Sequence, residues 1–279
     1  MQICNTVDEV RATRWSTSGG KLSWGFVPTM GFLHEGHLSL VRRARGENAR
    51  LAASIFVNPT QFAPNEDFDA YPRDTDRDLR LLQNEGVDLV FLPDDSTMYP
   101  PWFQTTITVA KVSQPLEGAS RPTHFAGVVT VVAKLFNIVQ PYRAYFGQKD
   151  AQQVVVVKRM VEDLNINVQI VVCPIVREAD GLAMSSRNAR LNEQQRAAAP
   201  TLYQALSAAR EALNAGERDG SNLRALMTDV IKREPLARTD YVSVADPQTL
   251  EELEFVEDGA LLSGAVFVGP VRLIDNILI

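Results

Sequence analysis

Along the first 174 residues, short apolar runs rich in β-branched side chains alternate with stretches of helical period. Trp24-Gly25-Phe26-Val27-Pro28 predicts a buried strand, and a glycine-containing loop after it leads into a helix whose Leu38, Val41 and Ala44 share one face. A second strand is expected over Leu51 to Val57. The turn-rich stretch Asn58 to Tyr71 separates it from a helix over Asp74 to Glu85, which places Leu79 and Leu82 inward and stops at Gly86. A strand at Asp88 to Leu92, a helix over Gly127 to Val139, a strand at Ala144 to Phe146, a helix over Ala151 to Leu164 and a strand at Val168 to Val172 continue the alternation. This order predicts an α/β fold with a doubly wound, Rossmann-like parallel sheet whose ligands lie beyond the carboxyl ends of the strands.

After Cys173-Pro174 the order changes. Helical stretches over Glu193 to Ala215 and Asn222 to Lys232 precede strand patterns at Tyr241 to Ala245, Gly264 to Val268 and Val271 to Leu278. Residues 1–174 therefore read as a larger domain and residues 175–279 as a smaller α+β domain, without internal repeats.

Composition narrows the function classes. A net charge of −6 over 279 residues, with a pI of about 5.2, speaks against a nucleic-acid binder, which needs a basic face. Cys4 and Cys173 are too few and too distant for a disulfide framework or a thiolate zinc site, and a reducing, cytoplasmic setting is expected. Asp8 and Glu9 stand where a secretory leader would be apolar, and no run approaches the length of a membrane span, so a soluble, unexported protein is expected.

Three segments carry candidate chemistry. In Met30-Gly31-Phe32-Leu33-His34-Glu35-Gly36-His37, between a strand and a helix, His34 and His37 share a helical face beside amides that favour an anion. A metal pair or a structural turn remains open at this point, although His-Glu-x-x-His zincin spacing is absent. Gly147-Gln148-Lys149-Asp150 again follows a strand and opens a helix, with Lys149 as a mobile charge for phosphate oxygens and Asp150 as a first-turn acid, or Lys149 as a plain surface lysine. Met184-Ser185-Ser186-Arg187 sets two hydroxyls and a guanidinium in sequence, suited to anionic oxygens or to an ordinary polar turn.

Taken together and in this order, the segments resemble those of the nucleotidyltransferase superfamily that includes class I aminoacyl-tRNA synthetases. His34-Glu35-Gly36-His37 is similar to its HIGH signature and Met184-Ser185-Ser186-Arg187 to its KMSKS signature. More closely, the chain resembles the pantothenate synthetase, or pantoate-β-alanine ligase, family. The match runs through Phe26-Val27-Pro28-Thr29-Met30-Gly31, Phe56-Val57-Asn58-Pro59-Thr60-Gln61-Phe62, His124-Phe125, Gly127 to Val132, Gly147 to Asp150, Ser185 to Asn188 and Tyr241-Val242-Ser243.

The resemblance implies adenylation of pantoate by ATP with Mg2+, then attack of β-alanine on the pantoyl-adenylate to release pantothenate and AMP. It assigns ATP contacts to Met30, Gly31, Phe32, Leu33, His34, Glu35, Gly36, His37, Gly147, Gln148, Lys149, Asp150, Val176, Met184, Ser185, Ser186 and Arg187. It makes His37, His34 and Lys149 the catalytic group, with His37 as the family's general acid; because transfer to the α-phosphate is mostly a matter of position and electrostatics, His37 is read here as stabilising the transferring phosphoryl charge. Gln61 would hold pantoate and β-alanine, and Gln153 pantoate. The smaller domain would act as a lid carrying the KMSKS-like segment, and the family suggests a homodimer. Ala126 stands where a larger polar residue is expected, and His124, without a role in this scheme, reads as structural. Phe62 to Arg73, with Pro64, Asn65, Glu66, Asp67 and Asp69, is expected to form a mobile wall of the site. The competing enzymatic reading is a nucleotidyltransferase that keeps AMP in its product.

Overall fold

In the strand β2 (Trp24–Thr29), neighbouring residues serve two different cores, as the period of a strand requires. Phe26 joins one cluster with Ala52, Leu89 and Phe91, while Val27 joins another with Ala53 and Val90. Both faces of the sheet are covered, which is why its strands are apolar runs rather than alternating ones. The computed structural model describes residues 1–16, 22–64 and 66–279.

The larger sheet is parallel. Its members are β1 (Gln2–Cys4), β2, β3 (Arg50–Ile55), β4 (Leu89–Phe91), β5 (Arg143–Gly147) and β6 (Gln169–Cys173), in the order β1-β4-β3-β2-β5-β6. Helices α1 (Val7–Ser16), α6 (His124–Val139) and α7 (Ala151–Asp163) cover one face, and α2 (Glu35–Glu47) and α3 (Thr75–Asn84) the other. The short helices α4 (Asp95–Met98) and α5 (Glu117–Ser120) lie in the long connection between β4 and α6. The order reverses between β2 and β5, where Gly25 pairs with Arg143 and Phe26 with Ala144. That switch point opens a crevice at the carboxyl ends of the two strands. The segments beginning at Met30 and Gln148 both leave from there.

The smaller domain packs α9 (Thr201–Asn214) and α10 (Gly220–Lys232) on an antiparallel sheet of β7 (Ala237–Ala245), β8 (Leu261–Val268) and β9 (Val271–Leu278). Leu202, Leu206, Leu223, Met227 and Ile231 meet Val244, Leu262 and Val266 in its core. The expected doubly wound sheet and smaller α+β unit are therefore present. The single helix expected over Glu193 to Ala215 is instead two, α8 (Glu193–Ala198) and α9, divided where Pro200 lacks a backbone donor. Strand β1 and helix α1 gave no clear sequence pattern: β1 has three residues, two of them exposed, at the sheet edge.

The domains are tied across their boundary. Arg272 on β9 donates to both carboxylate oxygens of Glu117 on α5, at 2.7 and 2.8 Å, and to Asp240 on β7. Asn276, also on β9, reaches the turn Gln148–Asp150.

Candidate active site

Helix α2 begins with a reciprocal cap made of two histidines. The amide of Gly36 donates to His34 Nδ1 at 3.2 Å, and the amide of His34 donates to His37 Nδ1 at 3.3 Å. This is the geometry of a capping box, in which two otherwise unpaired helix N–H groups are satisfied by side chains. Both Nδ1 atoms accept, so each neutral ring carries its proton on Nε2. Burial, and then the charge of Lys149, lowers His34 to about 4. Burial, then His34 and Lys149, lowers His37 to about 3. At neutral pH the pair presents uncharged Nε2–H donors.

The strand-to-helix loop ahead of the pair is held from behind. Gly31 has φ +83° and Phe32 φ +50°, a left-handed conformation that is costly for phenylalanine. Asp78 on α3, 1% exposed, accepts from the amides of Phe32 and Leu33, both at 2.7 Å, and Arg77 donates to the Leu33 carbonyl at 2.8 Å. Burial lifts the Asp78 carboxyl above its usual range despite those two donors.

The other segments converge on the same crevice, a cleft of about 870 Å³. Met30, His34, Gly36, His37, Gln61, Gly147, Lys149, Asp150, Gln153, Val176, Met184, Ser185, Ser186 and Arg187 all line it. A side chain at position 36 would place its Cβ 2.9 Å from the His34 ring, so glycine makes room for the histidine cap, and 3.8 Å from Met184 Cβ, an ordinary contact that shows the two signature segments to be neighbours. Five residues assigned to ATP from the sequence do not line the cleft. Gly31 and Phe32 have their backbone turned towards Ile55 and Asp78, and Leu33 is core. Glu35 faces solvent in a pair with Arg42, and the Gln148 side chain is bonded to Asn276.

Beside the first of these segments, Gln61 accepts from Asn58 through Oε1 at 3.1 Å and donates to Met30 Sδ. Gln152 and Gln153 are adjacent in sequence but differ in environment. Gln152 is buried and bonded to Glu117, Val112 and Pro115, whereas Gln153 lines the cleft. His124 contacts the Gln61 carbonyl through Nδ1 at 3.0 Å and Arg121 through Nε2 at 3.3 Å. Burial, then Arg121, lowers it to about 4. Glu66 pairs with Arg121.

The Ser186–Arg190 turn meets the wall expected over Phe62 to Arg73. Arg187 donates to both oxygens of Asp67 at 3.1 Å, Arg190 reaches Asp67 at 2.6 Å, and the hydroxyls of Tyr71 and Ser186 are 3.1 Å apart. Burial opposes ionisation of Asp67, but Arg187 and Arg190 outweigh it and hold the carboxyl below its usual range. Asn65, part of the same expected wall, lies outside the described residues.

Asn58, Tyr71, Asp78, Arg121 and Asn276 escaped the sequence reading. Tyr71 lies in the expected wall over Phe62 to Arg73 without being singled out, and Asn58 stood in the Phe56 to Phe62 motif with no role of its own. Asp78 carried only the signature of a first-turn helix acid. Among the described residues no cluster of three or more His, Cys, Asp or Glu could hold a metal. Asp150 is a cleft carboxylate whose ion-pair partner is Lys149 rather than an arginine.

The chain is 61% identical to a pantothenate synthetase of Roseiflexus sp. (strain RS-1), covering 99% of this chain and 98% of that one. It is 60% identical to that of Chloroflexus aurantiacus, over 100% and 98%. The crystal structure of pantothenate synthetase from Thermus thermophilus superposes with a TM-score of 0.94 at 48% identity, over 99% of each chain. A pantoate-β-alanine ligase from Francisella tularensis, complexed with β,γ-ATP and β-alanine, superposes with a TM-score of 0.81 at 35% identity, over 100% and 97%. The family model for pantoate-β-alanine ligase matches residues 2–278, and with these full-length likenesses it establishes that the chain belongs to the pantoate-β-alanine ligase family.

Proposed function

We infer that the chain joins pantoate to β-alanine at the cost of ATP, through an enzyme-bound pantoyl-adenylate, releasing pyrophosphate and then AMP. The observation that carries this reading is the meeting of three phosphate-suited segments with two cleft-lining glutamines in one crevice at the switch point. A carboxylate is a poor electrophile, and its mixed anhydride with AMP is a good one, so the site must hold the anhydride away from water until the amine arrives.

The residues support a division of labour. His34 and His37, as neutral Nε2–H donors, stabilise charge on the α-phosphoryl oxygens during transfer, and Lys149 adds a mobile positive charge. Met30, Gly36, Gly147, Asp150, Val176, Met184, Ser185, Ser186 and Arg187 shape the nucleotide side of the cleft. Gln61 and Gln153 receive pantoate, their amides donating to its carboxylate and accepting from its hydroxyls, and Gln61 also meets β-alanine. Magnesium, when bound with ATP, would neutralise triphosphate charge, and the cleft carboxylate of Asp150 beside Lys149 would be a group to meet it. The smaller domain closes this side through the Met184–Arg187 segment.

Two further readings accompany the chemistry. A cytoplasmic setting agrees with two free, buried cysteines, and among the described residues no helix is long and apolar enough to cross a membrane. A homodimer is the assembly that the family suggests. Incubation with ATP, magnesium, pantoate and β-alanine, followed by mass detection, tests the central reading. Pantothenate and free AMP in equal amounts are expected, with AMP release dependent on β-alanine. AMP retained in a covalent product would instead identify a nucleotidyltransferase.

A further inference from the structure

The turn Gln148–Asp150 comes from the larger domain, yet a residue of the smaller one holds its backbone. Asn276, 2% exposed on β9, donates from Nδ2 to the carbonyls of Gln148 and Lys149, both at 2.9 Å. Its Oδ1 accepts from Gln148 Nε2 at 3.1 Å. Both amide hydrogens and the carbonyl oxygen are thus spent on one turn 127 or 128 residues earlier in the chain. A side chain serving only its own sheet would not be arranged this way. The preceding residue continues the linkage: Asp275 pairs with Arg177, and Arg177 also donates to the carbonyls of Gly181 and Asn276. The backbone bridge between Arg177 and Ala183 and the bond from the Met184 amide to Val176 then lead to the Met184–Arg187 segment. Two adjacent residues near the end of β9 therefore join two of the three segments that face the cleft.

We propose that Asn276 is a positioning residue for adenylate formation: its amide fixes the backbone of Gln148 and Lys149 and so directs the Lys149 side chain into the cleft. The proposal rests on the reading of Lys149 as a phosphate-facing charge. Lys149 has a long, flexible stem, and where its ammonium reaches depends on where its Cα is held. Small displacements of groups that act by position have large kinetic effects.

The test compares Asn276→Ala and Asn276→Asp with the unaltered protein, each also in a Lys149→Ala background. Aspartate keeps the shape and the bond from Gln148 but faces two carbonyls without a donor, so it separates positioning from packing should the alanine variant fold poorly. Both variants are expected to slow the pyrophosphate burst by roughly tenfold or more, while β-alanine attack on supplied pantoyl-adenylate changes less than about twofold. In the Lys149→Ala background the same substitutions should add little, because the group they position is gone. An unchanged burst in Asn276→Asp, or an equal loss in both backgrounds, overturns the proposal. A wild-type burst in Lys149→Ala alone removes the underlying reading of Lys149, and the proposal with it.

Discussion

All three histidines of the chain are held neutral, and this sets how the protein responds to acid. Burial leads in each case, lowering His34 and His124 to about 4 and His37 to about 3. In the unfolded chain each returns to near 6.5. Below that value the unfolded state binds more protons than the folded one, so stability falls as pH falls, and it levels off above about pH 6.5. Each such proton changes the unfolding free energy by about 1.4 kcal/mol per pH unit, which integrates to about 2 kcal/mol per histidine between pH 7 and pH 5. All three rings line the cleft and are only partly buried, so solvent screens part of each share. The sum is then about 3 to 4 kcal/mol, a sizeable part of the ~5–15 kcal/mol that stabilises a typical domain. Asp78 and Asp275, whose carboxyls are raised by burial, act in the opposite direction and trim the lower end of this window. Urea unfolding at pH 7, 6 and 5 measures the effect. The three tryptophans, Trp15, Trp24 and Trp102, report by fluorescence, because they share the larger domain with the three histidines. The acid loss should shrink by about a third in His124→Asn and in His37→Asn. A midpoint that holds constant from pH 7 to pH 5, or an undiminished loss when all three histidines are asparagine, would refute the reasoning.

Other perturbations follow from the same contacts. Asp67→Asn weakens the hold on Arg187 by about 1 kcal/mol, so ATP should bind roughly fivefold more tightly by calorimetry without pantoate, and weaker binding would count against a competition between Asp67 and phosphate. Asp78→Ala leaves the amides of Phe32 and Leu33 without their acceptor and should cost about 3 kcal/mol in urea unfolding, whereas a loss below ~0.5 kcal/mol would show that the loop holds itself. Gly127→Ala puts a methyl 2.4 Å from the Thr60 carbonyl oxygen, beside Gln61. It should destabilise by about 1–3 kcal/mol despite the better helix former and raise the KM for pantoate, and an unchanged KM would detach Gln61 from that substrate. Lys149→Ala and His37→Ala should each slow the pyrophosphate burst by roughly a hundredfold or more, and a near-normal burst in either would overturn the role assigned to that side chain.

What the sequence disclosed was local. The strand, loop and helix around His34 and His37 lie within about two dozen consecutive residues, so periodicity and spacing could place them together. Gln61 and Gln153 became visible only by resemblance, and nothing in the pair Gln152-Gln153 distinguishes the buried partner of Glu117 from the one lining the cleft. The contacts of Asn276 and Asp78 escaped for a different reason. Each looks like an ordinary polar residue on its own element, and its partners are 128 and 46 residues away in sequence. Pattern reads which way an element faces and has no access to what a distant element brings against it. The division at Pro200 was local and could have been read, since proline removes a helix donor wherever it falls.

The cap at the start of α2 also constrains how protons can travel. To relay a proton, an imidazole must take one on one nitrogen and release one from the other, exchanging its two tautomers as it does so. In His34 and His37 one nitrogen of each ring is already committed to a backbone amide of the helix that carries it. Neither ring can exchange tautomers without giving up the cap hydrogen bond that it accepts at the start of α2. The pair is therefore a fixed set of donors rather than a conduit, and the proton shed by an attacking amine has to leave by another path.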